Sequence, residues 1–286
     1  MARSAPRERD NRLGAYRRAR RDRVTPAQVG IVVSDRRRVP GLRREEVAML
    51  AGISADYYLR LERGKDRTPS PQVLDALARA LRLDADHVAH LRALAAEPPA
   101  VGTSSSDDVL PQTALDLIEA LDQPAFLEDA GLTVLAANAA ARDLNPRLRP
   151  GRNQLRDLYL DPQERAMHPD WEGVAACMTA GLRYAMGAGD DARLHALAAE
   201  LSGASATFRR IWARHDVRAQ RGAVVRLTHA ERGEQVFTRE QLRLNGTDGL
   251  ALVIYSPRAS SVGTSAVIRQ TGGEPSAPVR VVVRNP

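Results

Sequence analysis

The sequence predicts two domains of different class: an all-α domain of five helices over residues 1–97, then an α+β domain over residues 110–257. Three observations carry this. The chain has 286 residues, enough for two modest cores. Up to Leu94 the apolar residues recur at helical spacing, broken by cap and proline signals. After Gly222 the period becomes that of strands, with Asn245-Gly246 and Asp248-Gly249 as turns. Between the domains, residues 98–109 contain Pro98, Pro99, Gly102 and three consecutive serines, the composition of a linker. Residues 258–286, rich in Ser, Gly and Pro, read as a flexible tail.

Taken in order, residues 1–10 hold too little apolar content to pack and are expected as a mobile arm. Leu13 to Arg23 forms a first helix with Leu13 and Tyr16 inward, and Thr25-Pro26 opens a second as cap and proline. Asp35 to Arg38 is a basic loop before the turn at Pro40-Gly41. Arg43 to Ala51 is helical with Val47, Ala48, Leu50 and Ala51 on its apolar face, and Gly52 turns the chain. Ser54 caps a further helix that buries Tyr58 and Leu61 and stops at Gly64. Ser70-Pro71 opens a helix carrying Val73, Leu74, Leu77, Ala78 and Leu81, and Asp84 opens a last one with Val88, Leu91 and Leu94 or Ala95 inward.

Two short helices joined by a glycine turn, Gly41 to Gly64, form a helix-turn-helix pattern, whose second helix enters a DNA major groove. Charge agrees. The first 97 residues carry 21 Lys+Arg against 13 Asp+Glu, the remainder 21 against 22, so the net charge of +7 belongs to the part with the motif. Helix geometry then gives roles. Arg43 and Arg44 meet phosphate at a helix N-terminus, with Ser54 and Tyr57 beside them. Ala55, Asp56, Leu59 and Arg60 project toward base edges, Arg60 being the best candidate for a guanine contact. Asp56 serves equally well as a partner of the helix dipole. Lys65 and Arg67 follow on the backbone, and Glu62 is structural. Such a domain reads double-stranded DNA best as a homodimer on two half-sites.

The run Arg36 to Ala48, then Leu61-Glu62-Arg63-Gly64, resembles the MmyB-like regulators of the xenobiotic-response-element, or lambda-repressor-like, helix-turn-helix group. The resemblance continues in Asn138, Leu155 to Tyr159, Pro169-Asp170-Trp171 and Phe208 to Arg218, and covers most of residues 110–257. It implies a ligand-binding domain for small, partly apolar molecules, fatty acids among them, that regulates gene expression. Two departures stand out: Ala230 follows His229 where the family has proline, and residues 259–286 replace a closing helix.

In the second domain Thr113 to Leu121 is helical with Leu117, Ile118 and Leu121 apolar, and Pro124–Leu127 and Leu132–Ala136 read as strands about a turn. Asn138 caps a helix through Leu144. Helices follow at 171–186, 192–201 and 206–214, then strands at 223–229, 234–244 and 250–256, an order broadly like a PAS fold. Trp171, Phe208 and Trp212 are candidates to line an apolar ligand pocket, with Arg214 or His215 pairing a ligand carboxylate. Aromatics four apart on a helix equally suit plain core.

Composition weighs against other classes. One cysteine, Cys177, excludes an intramolecular disulfide and argues against zinc. No apolar run approaches the ~18 residues of a membrane span, and no secretory signal stands at the start, so a cytoplasmic protein without a membrane partner is expected. No cofactor is implied. A hydrolase would draw on Ser202, Ser205, His215 and Asp216, but no Gly-x-Ser-x-Gly elbow is present and an adjacent His-Asp aligns poorly. A metal or haem sensor would draw on Cys177, His168, His195, His215 or His229, at spacings that resemble no ligand motif. A dimerisation or protein-partner module remains the alternative for the second domain.

Overall fold

The computed structural model describes residues 5–32, 37, 39–65, 69–96, 110–188, 191–247 and 249–258. The expected linker, all of the tail beyond Arg258, Arg36, Arg38, Arg67 and Asp248 lie outside the described residues.

The first helix, α1, spans Ala5–Arg23. It starts well before the expected Leu13 and takes in residues 5–10, which were expected as an arm. Ala, Arg and Glu are good helix formers, and Pro6 falls in the first turn, where a missing N–H costs nothing. Thr25-Pro26 opens only a single 3-10 turn, Pro26–Val29, because Gly30 takes a left-handed φ of 75° and ends it. The motif helices are α2, Arg44–Ala51, and α3, Ala55–Glu62, joined through Gly52 at φ 66°. Then come α4, Pro71–Ala80, and α5, Ala85–Ala95.

The caps form as the sequence predicts. Ser54 accepts from the Tyr57 N–H at 3.1 Å, Ser70 from Val73 at 3.4 Å and Asp84 from His87 at 2.9 Å. Leu42, Val47, Tyr58, Leu61, Leu77 and Leu81 make the core of this domain. Leu50, expected on the buried face of α2, is exposed. On α5 the buried face is His87, His90, Leu91 and Leu94, while Val88 is only half-buried.

The second domain begins with α6, Gln112–Ala120, followed by β1, Ala125–Glu128, and β2, Val134–Ala137. Six helices follow: α7 (Ala139–Leu144), α8 (Gln154–Leu160), α9 (Pro162–Ala166), α10 (Trp171–Ala188), α11 (Ala192–Ala204) and α12 (Ala206–Trp212). The chain returns as β3, Ala223–His229, β4, Gly233–Arg243, and β5, Ala251–Pro257. The five strands lie in the order β2-β1-β5-β4-β3, each pair antiparallel, with Phe126 opposite Val253 and Val225 opposite Phe237. Strands alternate their side chains between faces. One face sends Phe126, Val134, Phe237, Val253 and Tyr255 inward, and the other places Leu127 and Leu252 under Ala114 and Ile118 of α6. Leu117 of α6, expected to be apolar core, is exposed.

Asn138 ties the start of this domain together. Its Oδ1 accepts from Ala141 N at 2.9 Å, capping α7, and from Ala125 N at 3.1 Å. Its Nδ2 donates to the carbonyls of Ile118, Leu121 and Gln123 at 2.8–3.0 Å. The end of α6, the start of β1 and the start of α7 are thus held by one buried amide. Asn138→Ala leaves these groups unpaired, and the α+β domain is expected to lose about 2–4 kcal/mol, read by urea unfolding.

Candidate functional site

The helix-turn-helix is braced from behind by α1. Gly14 packs on the Glu62 carbonyl so closely that a Cβ there would clash with it. Glu62 is fully buried and pairs with Arg21 at 2.7 Å and Arg44 at 2.7 Å. Burial alone would raise its pKa, but these two arginines hold the carboxyl below its usual range. Arg21 also donates to the Leu42 carbonyl at 2.8 Å, and Arg17 to that of Leu61 at 2.6 Å. At the front of α2, Glu46 accepts both Arg37 nitrogens at 2.6 and 2.7 Å and the Arg43 N–H at 2.6 Å. With Arg37 as the main cause, its pKa falls to about 2. A Glu at the third helical position was a legible cap signal for this role.

This brace leaves one side of α2 and α3 open. Arg43, Ser54, Ala55, Asp56, Arg60 and Lys65 are exposed, and Tyr57 and Leu59 half-buried. The Arg60 guanidinium lies 5.4 Å from the centre of the Tyr57 ring. Arg44 differs from its neighbours in giving its Nε to Glu62, although it too is half-exposed.

In the α+β domain the five residues singled out for ligand do not converge on one cavity. Phe208 is fully buried, edge-on to Tyr159 at 5.2 Å and stacked on Trp212 at 5.4 Å. Trp171 is half-buried at the start of α10, with the Arg165 guanidinium 5.2 Å from its ring centre. Arg214 is exposed at an open recess, and its carbonyl accepts from Arg23 at 2.9 Å. Trp212 and His215 face a cavity of about 330 Å³ between the domains.

The larger cavity, about 560 Å³, lies between the inner face of the sheet and helices α8 to α10. Its apolar walls are Leu144, Leu148, Leu158, Val174, Met178 and Val225, and Arg218 and Arg221 stand among its polar lining. Arg239 lines it too, tied to buried Glu128 at 2.8 Å. Burial lowers the Arg239 pKa, but Glu128 outweighs this and raises it. None of these residues was among the ligand candidates, although Leu158 and Arg218 fall in the stretches that carry the resemblance. The alternation that turns Val225 and Leu227 inward on β3 was the available signal.

Segment 214–222 connects this cavity to the helix-turn-helix domain. Arg221 pairs with Asp86 of α5 at 2.6 Å, and Ala219 N donates to the same carboxylate at 3.1 Å. Val217 is buried with Leu13, Tyr16, Leu74, Leu91 and Leu94. Asp216 takes Arg23 at 2.5 Å and Arg20 at 3.7 Å. Above it, α5 crosses α10 where Gly187 packs directly on the His90 ring. Burial and the nearby Arg183 push the His90 pKa down to about 3, and the same two causes push His215 to about 4.

The other candidate constellations take structural contacts. Ser202 Oγ donates to the Ala198 carbonyl at 2.7 Å, and Ser205 caps α12 by accepting from Phe208 N at 3.2 Å. Asp216 turns to arginines and His215 to Arg183. Among the described residues no group of three or more His, Cys, Asp or Glu is placed to hold a metal ion. No helix among them is long and apolar enough to cross a membrane.

This arrangement defines a DNA-binding protein with an attached ligand-binding domain. A model described as a helix-turn-helix domain matches residues 11–91. A second, described as the MmyB-like transcription regulator ligand binding domain, matches residues 110–270, and the chain belongs to this family of regulators. No curated protein matches the chain.

A histidine kept neutral by its surroundings stabilises the fold fully only above its unfolded pKa of ~6.5. His90 therefore loses its contribution as pH falls from there toward its folded value of about 3. Stability of the full chain is expected to drop between pH 7 and 5, with His90 supplying at most about 1.4 kcal/mol per pH unit. Urea unfolding at each pH checks this: His90→Asn should flatten the slope, and an equal slope in the variant would refute it.

Proposed function

We propose that this regulator binds operator DNA through the open face of α2 and α3 and senses a partly apolar carboxylic acid of the fatty-acid class. The 560 Å³ cavity in the family-matched domain carries the ligand reading. It lies within the ~300–1,000 Å³ range of small-molecule sites, and an acyl chain suits its leucines, Val174 and Met178. Arg218 and Arg221 offer charge-assisted partners for a carboxylate. A carboxylate that draws Arg221 away from Asp86 weakens one of the contacts between the domains, which gives the ligand a route to the DNA-binding unit.

On the DNA, Arg43, Ser54, Tyr57 and Lys65 hold phosphate, with Arg44 contributing while it stays tied to Glu62. Ala55, Asp56, Leu59 and Arg60 face the bases. The protein acts in the cytoplasm as a homodimer on two half-sites. A second reading, in which the α+β domain is a dimerisation or partner module, is favoured by the exposed Leu117 and Leu242 on its surface.

Two experiments test these readings. Gel-shift titration of the full chain on promoter-derived duplexes should show affinity falling with salt, each phosphate contact adding about −0.9 to the log–log slope. Arg60→Ala should cost about 1–3 kcal/mol on the preferred site and relax its specificity. Binding that ignores salt would count against the interface. Native mass spectrometry with medium- and long-chain acids should show a saturable adduct and a raised melting temperature. A panel that leaves both unchanged would favour the partner module.

A further inference from the structure

A second cavity, of about 330 Å³, remains where α1 and α5 meet α10, α11 and α12. Its described lining holds Arg12, Arg183, His90, His195 and His215, with no carboxylate among them. Arg183 is 8% exposed, donates to the Trp212 carbonyl at 2.5 Å and to His215 Nδ1 at 3.1 Å, and lies 3.7 Å over the Trp212 ring. Each partner is uncharged. Two other arginines are treated differently, buried Arg21 meeting Glu62 and half-buried Arg239 meeting Glu128 at hydrogen-bond distance. Arg17, buried without such a partner, lines neither cavity.

Among the described residues only Asp216 acts on Arg183 as an opposite charge, and without a hydrogen bond to it, so burial still lowers the Arg183 pKa to about 10 and an anion admitted beside it offsets that cost. Burial and Arg183 push the His90 and His215 pKa values down to about 3 and about 4, so these two rings add no positive charge beside Arg183 at neutral pH. The Arg12 Nη1 lies 2.8 Å from His195 Nε2, on the other side of the seam. Apart from Ser202, whose hydroxyl donates to the Ala198 carbonyl, the remaining wall is mainly apolar, with Tyr16, Leu94, Met186, Ala199 and Trp212. A planar guanidinium fork suits a carboxylate, and the walls suit an aromatic or branched body rather than a polar one. The volume stands at the low end of the range for small-molecule sites, too small for a long chain.

We propose that this interdomain cavity is a second ligand site, which takes a short amphipathic monocarboxylate with its carboxylate at Arg183 and its apolar body against Trp212, Leu94 and Met186. The site is separate from the larger cavity and does not depend on what fills that one. Its walls come from both domains, so an occupant favours the arrangement in which the two are docked.

Phenylacetate titrated into the full chain, followed by calorimetry and tryptophan fluorescence, tests this. A saturable heat and a change in emission from Trp212 are expected. Arg183→Gln should weaken binding about tenfold or more. Ala199→Leu adds bulk at an exposed position of the cavity wall, where folding tolerates it, and should do the same. Val174→Phe, which narrows the larger cavity, should leave phenylacetate affinity unchanged. Melting of each ligand-free variant reports its folding, and Ala199→Leu decides the matter if Arg183→Gln does not fold. Absence of saturable binding at millimolar phenylacetate would overturn the proposal. So would undiminished binding in Ala199→Leu, or loss of binding in Val174→Phe.

Discussion

Val217 belongs by sequence to the ligand-binding domain but buries its side chain among Leu13, Tyr16, Leu91 and Leu94 of the helix-turn-helix domain. A buried aliphatic side chain contributes roughly 1.5–3 kcal/mol. Flanking contacts add direction: Asp216 faces Arg20 and Arg23, and Arg221 reaches Asp86. The segment that carries these groups also forms part of the larger cavity. Position of the DNA-binding helices and shape of the cavity are therefore set by one stretch of chain. Ion pairs as exposed as Arg221–Asp86 are individually weak, so the apolar contact supplies the cohesion and the charges the register.

Buried charge follows a second rule. Glu62 and Glu128 sit far from each other in different domains, yet each is enclosed by donors that keep it satisfied. Glu62 binds α1, α2 and α3 into one unit, so the recognition helix is held at a fixed angle to the helix behind it. Glu128 does the same for the sheet, with Gln154 from α8 and Arg239 and Gln241 from β4. The arginines hold the Glu62 carboxyl ionised, so removal of one leaves an uncompensated charge, typically a loss of about 3–5 kcal/mol, whereas burial pushes the Glu128 pKa up.

Much of this was legible in the sequence because it is local. Ser54, Ser70, Asp84 and Asn138 announce helix starts, and the strand period after Gly222 marks β3, β4 and β5 within a residue. The two-domain order and the helix-turn-helix followed as well. What escaped depends on distant neighbours. His87 and His90 look like polar surface on α5 until Tyr16 of α1 stacks on the one and Gly187 of α10 covers the other. Leu50 and Leu117 look like core until no element arrives to cover them. Phe208 and Trp212 have the right chemistry for a pocket, but whether an aromatic faces a void or a neighbour depends on how α10 and α12 pack. Arg183 carries no local mark at all, since its burial against His215 and the Trp212 carbonyl comes from residues some thirty positions away.

The contact of Gly187 with His90 has a consequence for how such regulators diversify. Here one domain offers a ring and the other a position with no side chain, and a Cβ at 187 would overlap that ring. The two positions are a matched lock. A side chain at position 187 of this chain would have to displace the imidazole, so the docked geometry depends on the residues at both positions together. A DNA-binding domain grafted onto this ligand-binding domain would therefore have to match it at this crossing as well as around Val217.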